Sequence, residues 1–281
     1  MRDYSRVMQA FKSTVWAIQP EKAEAILALL EFRASGQRYT PEEIEARVGV
    51  DAAAGKTAKP VGKVAVLPML GVISQRLSLM DDVSGGGSVS TDGFARVLRA
   101  AVNDPEVSAI VLDVDSPGGS VYGVAELSKQ IFEARQQKKI YAVANSLAAS
   151  AAYWLATSAD KLFVTPSGEV GSVGVLSIHE DRSEANAKDG YRYEVIKAGQ
   201  YKAEDSPYAP LTDEAREFIQ ARVDEYYGMF IEGLARNRAM KKRDVDATFG
   251  QGRVFGAKDA VARNMADGIK TLDEVIAMLT K

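Results

Sequence analysis

Apolar and polar positions alternate along this chain in two ways. Short, nearly continuous apolar runs occur at residues 63–73, 108–114, 139–145 and 160–165. Each run has the length of a buried strand. Segments with helical periodicity lie between them, at residues 91–102, 120–136 and 150–158. Buried strands that alternate with helices predict an α/β fold with a mostly parallel sheet flanked by helices.

The first 60 residues follow a different pattern. Apolar residues after Pro20 recur at helical spacing, and Thr40 to Glu43 form a capping box with Pro at the first helical position. Residues 51–60 are typical of a linker. We therefore predict an N-terminal helical extension and linker at 1–60 and a second domain at 61–281.

Three further segments complete the prediction. Residues 75–90 are polar and contain three consecutive glycines, which favours a mobile loop. Residues 191–196, YRYEVI, are strand-like, and residues 211–239 follow a long helical pattern. A capping box from Thr271 to Glu274 predicts the start of a last helix.

Composition then excludes several kinds of chemistry. The chain has no Cys, which excludes disulfides, cysteine zinc sites, iron–sulfur clusters and a thiol nucleophile. Its single His, His179, argues against a multi-histidine metal site and leaves one candidate for a histidine base. A net charge of -3 gives no electrostatic reason to expect nucleic acid as a partner. We expect no metal and no cofactor.

No apolar run reaches the roughly 18–20 residues that a membrane span needs. The N-terminal segment is charged, and its short apolar stretch at residues 14–18 is too brief for a signal peptide. These features predict a soluble protein without a membrane anchor, located in the cytoplasm or, if viral, in the host cytoplasm or prohead interior.

Two segments that each follow a predicted strand and precede a helix contain candidate catalytic groups. The first, at 115–120, reads DSPGGS, and the second, at 145–153, reads NSLAASAAY. Glycines let backbone N–H groups face an anion, and small residues around Ser150 leave space for a substrate. Taken singly, an ordinary turn and a serine in a packed helix are the simpler interpretations of these two segments.

A third segment, AGQYK at 198–202, contains Lys202. A lysine acts as a general base only when burial and apolar neighbours lower its pKa from about 10.4 toward neutrality. A solvated surface lysine is the simpler interpretation of this segment alone. His179 with Glu180 and Asp181 could form a metal site or pair with Ser150, although a turn or surface position explains them more simply.

Together these segments resemble the signal-peptide-peptidase (SppA-like) family of serine peptidases, relatives of the Clp protease. The resemblance covers about residues 63–275 and includes KVAVLPMLGVIS, DSPGGSV, NSLAASAAYWLATSAD, GSVGV and IKAGQYKAEDSPYAPLTDEAREF. It implies a Clp protease/crotonase-like fold for the domain at 61–281. It also implies a hydrolase that uses a Ser/Lys dyad without His.

The resemblance assigns roles to individual residues. Ser150 matches the nucleophile and Lys202 the general base, 52 positions later. The backbone N–H of Gly118 or Gly119 matches one oxyanion-hole donor and that of Ala151 the other. The strand-like segment that contains Gly171, Ser172 and Val173 resembles the border of a groove in which an extended polypeptide substrate pairs by strand addition. Homo-oligomers occur among the relatives, so we expect one here.

Two departures from the family refine this interpretation. Many members have Ser-Gly-Gly at the nucleophile, whereas this chain has Ser150-Ala151-Ala152, which keeps the N–H donor but narrows the adjacent space. The absence of an anchor, together with the helical N-terminal segment, resembles the phage and prophage capsid-assembly branch, whose proteases cleave scaffold or capsid proteins.

Three alternatives remain open from the sequence. The chain could be a soluble SppA-like peptidase that degrades signal peptides or other peptides. It could be a catalytically inactive assembly subunit of the same fold. An acyl-CoA enzyme of the crotonase fold is disfavoured, because such enzymes use carboxylates where this chain has Ser150 and Lys202.

Overall fold

The computed structural model of this chain describes residues 7–8, 11–34, 59–76 and 88–280. Its strands are β1 (Trp16–Ile18), β2 (Lys59–Val61), β3 (Val64–Leu70), β4 (Val72–Ser74), β5 (Ser88–Ser90), β6 (Ala109–Ser116), β7 (Gly118–Ser120), β8 (Lys139–Ala149), β9 (Lys161–Val164), β10 (Glu169–Gly171), β11 (Val254–Gly256) and β12 (Gly268–Ile269). Its helices are α1 (Pro20–Ala34), α2 (Thr91–Asn103), α3 (Val124–Ala134), α4 (Ala151–Thr157), α5 (Ser183–Lys188), α6 (Asp213–Arg238), α7 (Lys242–Thr248), α8 (Ala257–Ala262) and α9 (Leu272–Leu279).

The larger sheet runs in the order β11-β10-β8-β6-β3-β2, and β9 pairs with the first half of β8 while β12 pairs with β9. Strands β3, β6, β8 and β9 are parallel, whereas β2 and β11 pair antiparallel at the edges. Both faces of the central strands are buried, as near-continuous apolar runs require. The predicted mostly parallel α/β fold is confirmed.

Alternate residues of the central strands enter two different cores. On β6, Ile110 and Leu112 belong to the large core that includes α2, α3, α4 and part of α6. The intervening Val111 belongs to a smaller core closed by α9. Thr271 caps α9 with the predicted capping box, since its hydroxyl accepts from the Glu274 N–H and the Glu274 carboxylate accepts from the Thr271 N–H.

A smaller sheet with the order β1-β7-β4-β5 stands beside the larger one. The predicted single strand at 63–73 is therefore wrong in one respect: the chain turns at Gly71, where φ is 81°, and passes from β3 in the larger sheet to β4 in the smaller one. The chain makes the same passage at Pro117, between β6 and β7. Each passage is followed by a helix that packs on the large core.

The C-terminal half of α6 packs against the large core, and its N-terminal half is largely exposed. Phe230 stacks on Trp154 with ring centroids 4.9 Å apart. At Gly233 a side-chain Cβ would lie 2.1 Å from the Trp154 Nε1 atom, so only glycine permits this contact. The helix predicted at 211–239 is thus confirmed, but only one end of it contributes to the core.

The segment that precedes α6, residues 181–212, is here called the arm. It is mostly exposed and contains the short helix α5. The strand predicted at 191–196 is wrong: these residues form no regular element, and Ile196 is 95% exposed. Their aromatic and β-branched side chains produced the strand pattern, but the arm pairs with no strand of the described sheets.

The N-terminal segment contains both a helix and a strand. The helix predicted after Pro20 is confirmed as α1, and its buried residues pack with Phe11, Trp16, Ile18 and Val72. The strand β1 pairs with β7 of the smaller sheet. The capping box at Thr40, most of the linker at 51–60 and the glycines at 85–87 lie outside the described residues, and the domain boundary at residue 60 stays a prediction.

None of the helices within the described ranges is long and apolar enough to cross a membrane.

Candidate active site

Ser150 stands at the turn where β8 ends and α4 begins. Its backbone has φ 53° and ψ -119°, a conformation that residues with a side chain rarely adopt. Two hydrogen bonds hold it there: the Ser150 N–H donates to the Gly171 carbonyl at 2.7 Å, and the Ser150 carbonyl accepts from the Trp154 N–H at 3.0 Å. A strained backbone that its surroundings fix in this way is common at functional sites.

The glycine-rich turn at Gly118 and Gly119 lies directly against Ser150. A Cβ on Gly118, where φ is 98°, would stand 2.9 Å from the Ser150 Cβ and 2.3 Å from the Ala17 carbonyl oxygen. A Cβ on Gly119 would stand 1.9 Å from the carbonyl oxygen of Ile73. The structure therefore brings together the two glycine- and serine-containing segments that the sequence singled out, and it leaves no room there for any residue but glycine.

The two glycine N–H groups have different partners. The Gly118 N–H donates to Ser116 Oγ at 3.2 Å, and this hydroxyl donates in turn to the Gly71 carbonyl at 2.6 Å. The Gly119 N–H instead faces β1. Ser116 was not among the candidate residues of the sequence, although its position in the DSPGGS segment was a signal for it.

Ala151 is the first residue of α4, so its N–H has no acceptor within the helix. It follows Ser150 directly and belongs to the positive end of the helix, where partial charges favour an anion. The side chain of Ser150 is fully buried, and its Oγ donates a long hydrogen bond of 3.4 Å to the Gly174 carbonyl. An N–H group and a serine hydroxyl are thus adjacent at one helix end.

Gly171, Ser172 and Val173 are buried beside Ser150, but their backbone groups bond within the protein. The Gly171 carbonyl accepts from Ser150, and the Ser172 N–H donates to the Arg253 carbonyl at 2.7 Å. The backbone bonds to the neighbouring extended strand, β1, come instead from Leu176, which lies three residues after Val173. The sequence did not indicate Leu176, and the assignment of residues 171–173 to substrate binding stays a prediction.

Lys202 lies in the exposed arm, away from these groups. Its side chain is exposed, and the structure describes no contact between it and Ser150. Glu214 in the first turn of α6 raises the pKa of Tyr201, the residue before Lys202. The predicted nucleophile and the predicted base are therefore not joined within one chain.

His179 and the two acidic residues after it have other partners. The His179 Nδ1 atom lies 2.8 Å from the Asp205 carboxylate. Glu180 forms ion pairs with Lys12 and Arg182, which hold its pKa below the usual value despite partial burial. Asp181 accepts from the Ser183 N–H at 2.8 Å. These three neighbours thus bond to three different parts of the chain.

Asp113 and Asp115 precede the glycine-rich turn and lie within β6. Burial raises the pKa of Asp113, although the Asn145 side chain donates to its carboxylate at 3.0 Å. The pKa of Asp115 is also raised, first by burial and then by the charge of Asp113, while Lys22 of α1 acts in the opposite direction. They form a pair of carboxylates at the end of the strand that leads to Gly118.

The chain is similar to several curated proteins, of which it spans less than half the length. It is 31% identical over 220 residues to the head-tail preconnector protein GP5 of Enterobacteria phage P21, covering 78% of this chain and 43% of that protein. It is 30% identical to the capsid assembly protease C of Escherichia phage lambda, covering 77% and 48%. It is 29% identical to protease 4 of Haemophilus influenzae, covering 76% and 34%.

The model of peptidase family S49 matches residues 133–281, which is more than half of the chain. The matched region contains the turn with Ser150, the strand β10 beside it and the whole arm with Lys202. A fold of the Clp protease/crotonase type is that of this family. The protein therefore belongs to peptidase family S49.

Proposed function

We propose that this peptidase is a serine endopeptidase in which Ser150 is the nucleophile and Lys202 the general base. The observation that carries the proposal is the conformation of Ser150. It is held in a strained turn at a helix N-terminus. Two glycines pack against this turn, and neither position has space for a side chain. Strain of this kind serves to aim a reactive side chain.

The oxyanion hole is assigned to the backbone N–H groups of Gly119 and Ala151. Of the two glycines, Gly118 already donates to Ser116, which leaves Gly119 as the donor that a bound peptide can use. The neutral amine of Lys202 takes the proton of the Ser150 hydroxyl, and the alkoxide attacks the peptide carbonyl. The two N–H groups stabilise the resulting oxyanion. Lys202 then returns the proton to the leaving amine, and water hydrolyses the acyl-enzyme.

We assign the lysine to a neighbouring protomer of a homo-oligomer. Within one chain Lys202 is exposed, and so are large apolar side chains of the arm and of the start of α6. Tyr191, Tyr193, Ile196, Tyr201 and Phe218 are each more than half exposed. An exposed apolar patch of this size is typical of a protein interface. Contact between protomers would cover the patch and remove water from the lysine, which favours its neutral form.

The substrate is an extended polypeptide bound between β7 and the segment at 174–176. This groove offers main-chain groups rather than charged side chains, which suits strand addition. Such binding needs no cofactor and no nucleic acid.

The biological role that fits best is cleavage of scaffold or capsid proteins during phage or prophage head assembly, in the host cytoplasm or the prohead. The names of two similar proteins, a preconnector protein and a capsid assembly protease, support it. The similarity to protease 4 keeps a second candidate, a peptidase that degrades signal peptides or other peptides.

A fluorophosphonate probe, which labels activated serines, tests the chemistry. We expect labelling of the native protein that is lost in both Ser150→Ala and Lys202→Ala. An assembled protein that resists labelling from pH 6 to 10, both as the native chain and as Trp16→Asp, which loosens the strand beside Ser150, would instead identify an inactive assembly subunit of the same fold. Coexpression with phage scaffold and capsid proteins tests the role, since only the form with Ser150 should cleave them.

A further inference from the structure

Residues 15–19 cross the face of Ser150 as an extended strand. They include β1, and the four side chains from Val15 to Ile18 are each at most 3% exposed. On one side they pair antiparallel with β7, the strand that contains Gly118 and Gly119. On the other side Trp16 forms an antiparallel bridge with Leu176. The segment therefore fills the gap between the two edges assigned above to a substrate.

The hydrogen bonds of this segment alternate between the two edges, as those of a bound peptide would. The Trp16 N–H donates to the Leu176 carbonyl, and the Leu176 N–H donates back to Trp16, each at 2.9 Å. Toward β7, the Val121 N–H donates to the Val15 carbonyl at 3.3 Å and the Gln19 N–H to the Pro117 carbonyl at 3.0 Å.

The two bonds toward β7 determine how the residue pair between them is hydrogen-bonded. Hydrogen-bonded pairs recur at every second residue of an antiparallel ladder, so Ala17 and Gly119, which face each other, form the next one. The carbonyl of Ala17 therefore accepts the Gly119 N–H. This is the donor that the proposed mechanism reserves for the oxyanion.

The Ala17 carbonyl also lies close to the nucleophile. Its oxygen and the Ser150 Cβ are 2.3 and 2.9 Å from the same point, the position that a Cβ of Gly118 would take. Ser150 is fully buried in this arrangement. A second peptide could not reach Ser150 while Ala17 remains where it is.

Contacts outside the groove hold the segment in place. The Trp16 ring packs on Phe11 at 4.3 Å, and its Nε1 atom donates to the Phe11 carbonyl at 2.8 Å. Trp16 and Ile18 join the buried side of α1 in one apolar cluster. Lys12 forms an ion pair with Glu180 at the start of the arm. The strand is thus tied down at both ends.

We propose that residues 15–19 are a built-in competitive inhibitor, which occupies the peptide groove in register and must leave before a substrate can bind. The proposal rests on the proposed function of Ser150. Its register places the carbonyl of Ala17 at the oxyanion position and makes Ala17–Ile18 the peptide bond presented to the nucleophile. The protease is then latent, and its activation consists of withdrawing one strand.

A reversible disulfide tests this directly. Hydrogen-bonded antiparallel pairs have Cα atoms about 5.5 Å apart, within the range that a disulfide spans. The chain has no Cys of its own, so the double variant Trp16→Cys/Leu176→Cys can form a single intramolecular bridge. We expect fluorophosphonate labelling of Ser150 to be at least tenfold slower in the oxidised than in the reduced sample. Equal rates in the two samples would overturn the proposal.

A pair of single variants at Trp16 tests it without a crosslink. Trp16→Asp places a charge in the apolar cluster and should release the strand, raising the labelling rate at least tenfold over the native chain. Trp16→Phe keeps the packing and should label as slowly as the native chain. Native chains of full mass that label as fast as Trp16→Asp would contradict the proposal, whereas labelling confined to native chains cut between Ala17 and Ile18 would support it.

Failure of the underlying chemistry gives a different result. If the reduced double variant, Trp16→Asp and the native chain all remain unlabelled, Ser150 is not an activated nucleophile, and both the proposed function and the inhibitor are overturned. If all three label at one rate, only the inhibitor is overturned. Ser150→Ala in the Trp16→Asp background is the blank for each measurement.

Discussion

The region around Ser150 and the region around Lys202 differ in almost every physical respect. Ser150 is fully buried, its backbone is strained, and glycines pack against it with no space to spare. Lys202 lies in an exposed arm without strands, next to aromatic side chains that face solvent. One half of the proposed dyad is complete within a single chain, and the other half is not. The difference supports the proposal that a neighbouring protomer supplies Lys202 to the site.

The largest expected effect is at the nucleophile itself. Ser150→Ala should lower peptide hydrolysis by about 10³-fold or more, as removal of a catalytic serine does elsewhere. Its melting temperature should stay near that of the native chain, because the hydroxyl makes only one long hydrogen bond. Activity of Ser150→Ala comparable to that of the native chain would remove Ser150 from the mechanism.

The next prediction concerns the base. Lys202→Ala should lose activity to a similar extent, yet mixing it with Ser150→Ala should restore a measurable fraction, because mixed oligomers join an intact Ser150 to an intact Lys202. The assay is peptide hydrolysis after the two inactive variants are dissociated and reassembled together. Each variant reassembled alone is the control. No recovery at any mixing ratio, despite normal oligomers, would place both residues in one protomer.

Gly119→Ala probes the packing around the nucleophile. The new Cβ would collide with the Ile73 carbonyl, so we expect a loss of roughly 2–4 kcal/mol in unfolding free energy, measured by chemical denaturation. Gly256→Ala is the matched control, since φ there is -66° and no atom lies within 4 Å of its Cβ position. Equal stability of the two variants would show that the turn at Gly119 can move.

Ile196→Asp tests whether the arm contributes to contacts between protomers. Because this side chain is 95% exposed, the unfolding free energy of a dissociated chain should change by no more than about 0.5 kcal/mol. The interface should be weaker, so the protein concentration at which half of the oligomer is dissociated should rise, as sedimentation would detect. Activity should fall in proportion to the loss of oligomer. An unchanged oligomer would mean that the exposed apolar residues of the arm serve some other contact.

The smallest effect is expected at Asp113, a partly buried carboxylate of β6 that the proposed mechanism does not use. Burial raises the pKa of its carboxyl, so the folded state binds the proton more tightly than the unfolded state. Stability therefore falls as pH rises through the interval between the ordinary and the raised pKa. Asp113→Asn should melt at a higher temperature than the native chain at pH 7, and the gain should vanish at pH 3.

Asp181 is the control with the opposite sign. Bonds from Ser183 lower the pKa of this exposed carboxyl. Its charge therefore adds stability above the ordinary carboxyl pKa and loses it as pH falls. Asp181→Asn should melt slightly lower than the native chain at pH 7. A gain for both variants would point to overall charge rather than to the burial of Asp113.

The sequence predicted the parts of the fold that depend on local pattern. Helix α2 was expected at 91–102 and spans Thr91–Asn103, because its apolar residues recur on one face. It also identified Ser150 and Gly119, since their segments combine small residues with a strand-to-helix turn. Each of these features can be read within a window of a dozen residues.

What the sequence did not predict depends on contacts between distant residues. Nothing near Trp16 indicates that it pairs with Leu176, 160 positions later. The tyrosines at 191 and 193 have strand propensity, but they pair with no strand of the described sheets. Likewise, the transfer of the chain between sheets at Gly71 follows from the position of β7, which a local pattern cannot show.

Helix α6 extends from the large core, next to α4, to the end of the arm. It is 26 residues long, about 39 Å at 1.5 Å per residue, and it is clamped near one end, where Gly233 meets Trp154. From that contact to the first turn of α6, where Glu214 raises the pKa of Tyr201, the distance is about 30 Å. A tilt of about 5° would displace that turn by about 2.6 Å, as much as a whole hydrogen bond spans. In the proposed mechanism, the position of Lys202 would therefore depend on the contact between Trp154 and Gly233, and a substitution at Gly233 should lower activity without altering a proposed catalytic residue.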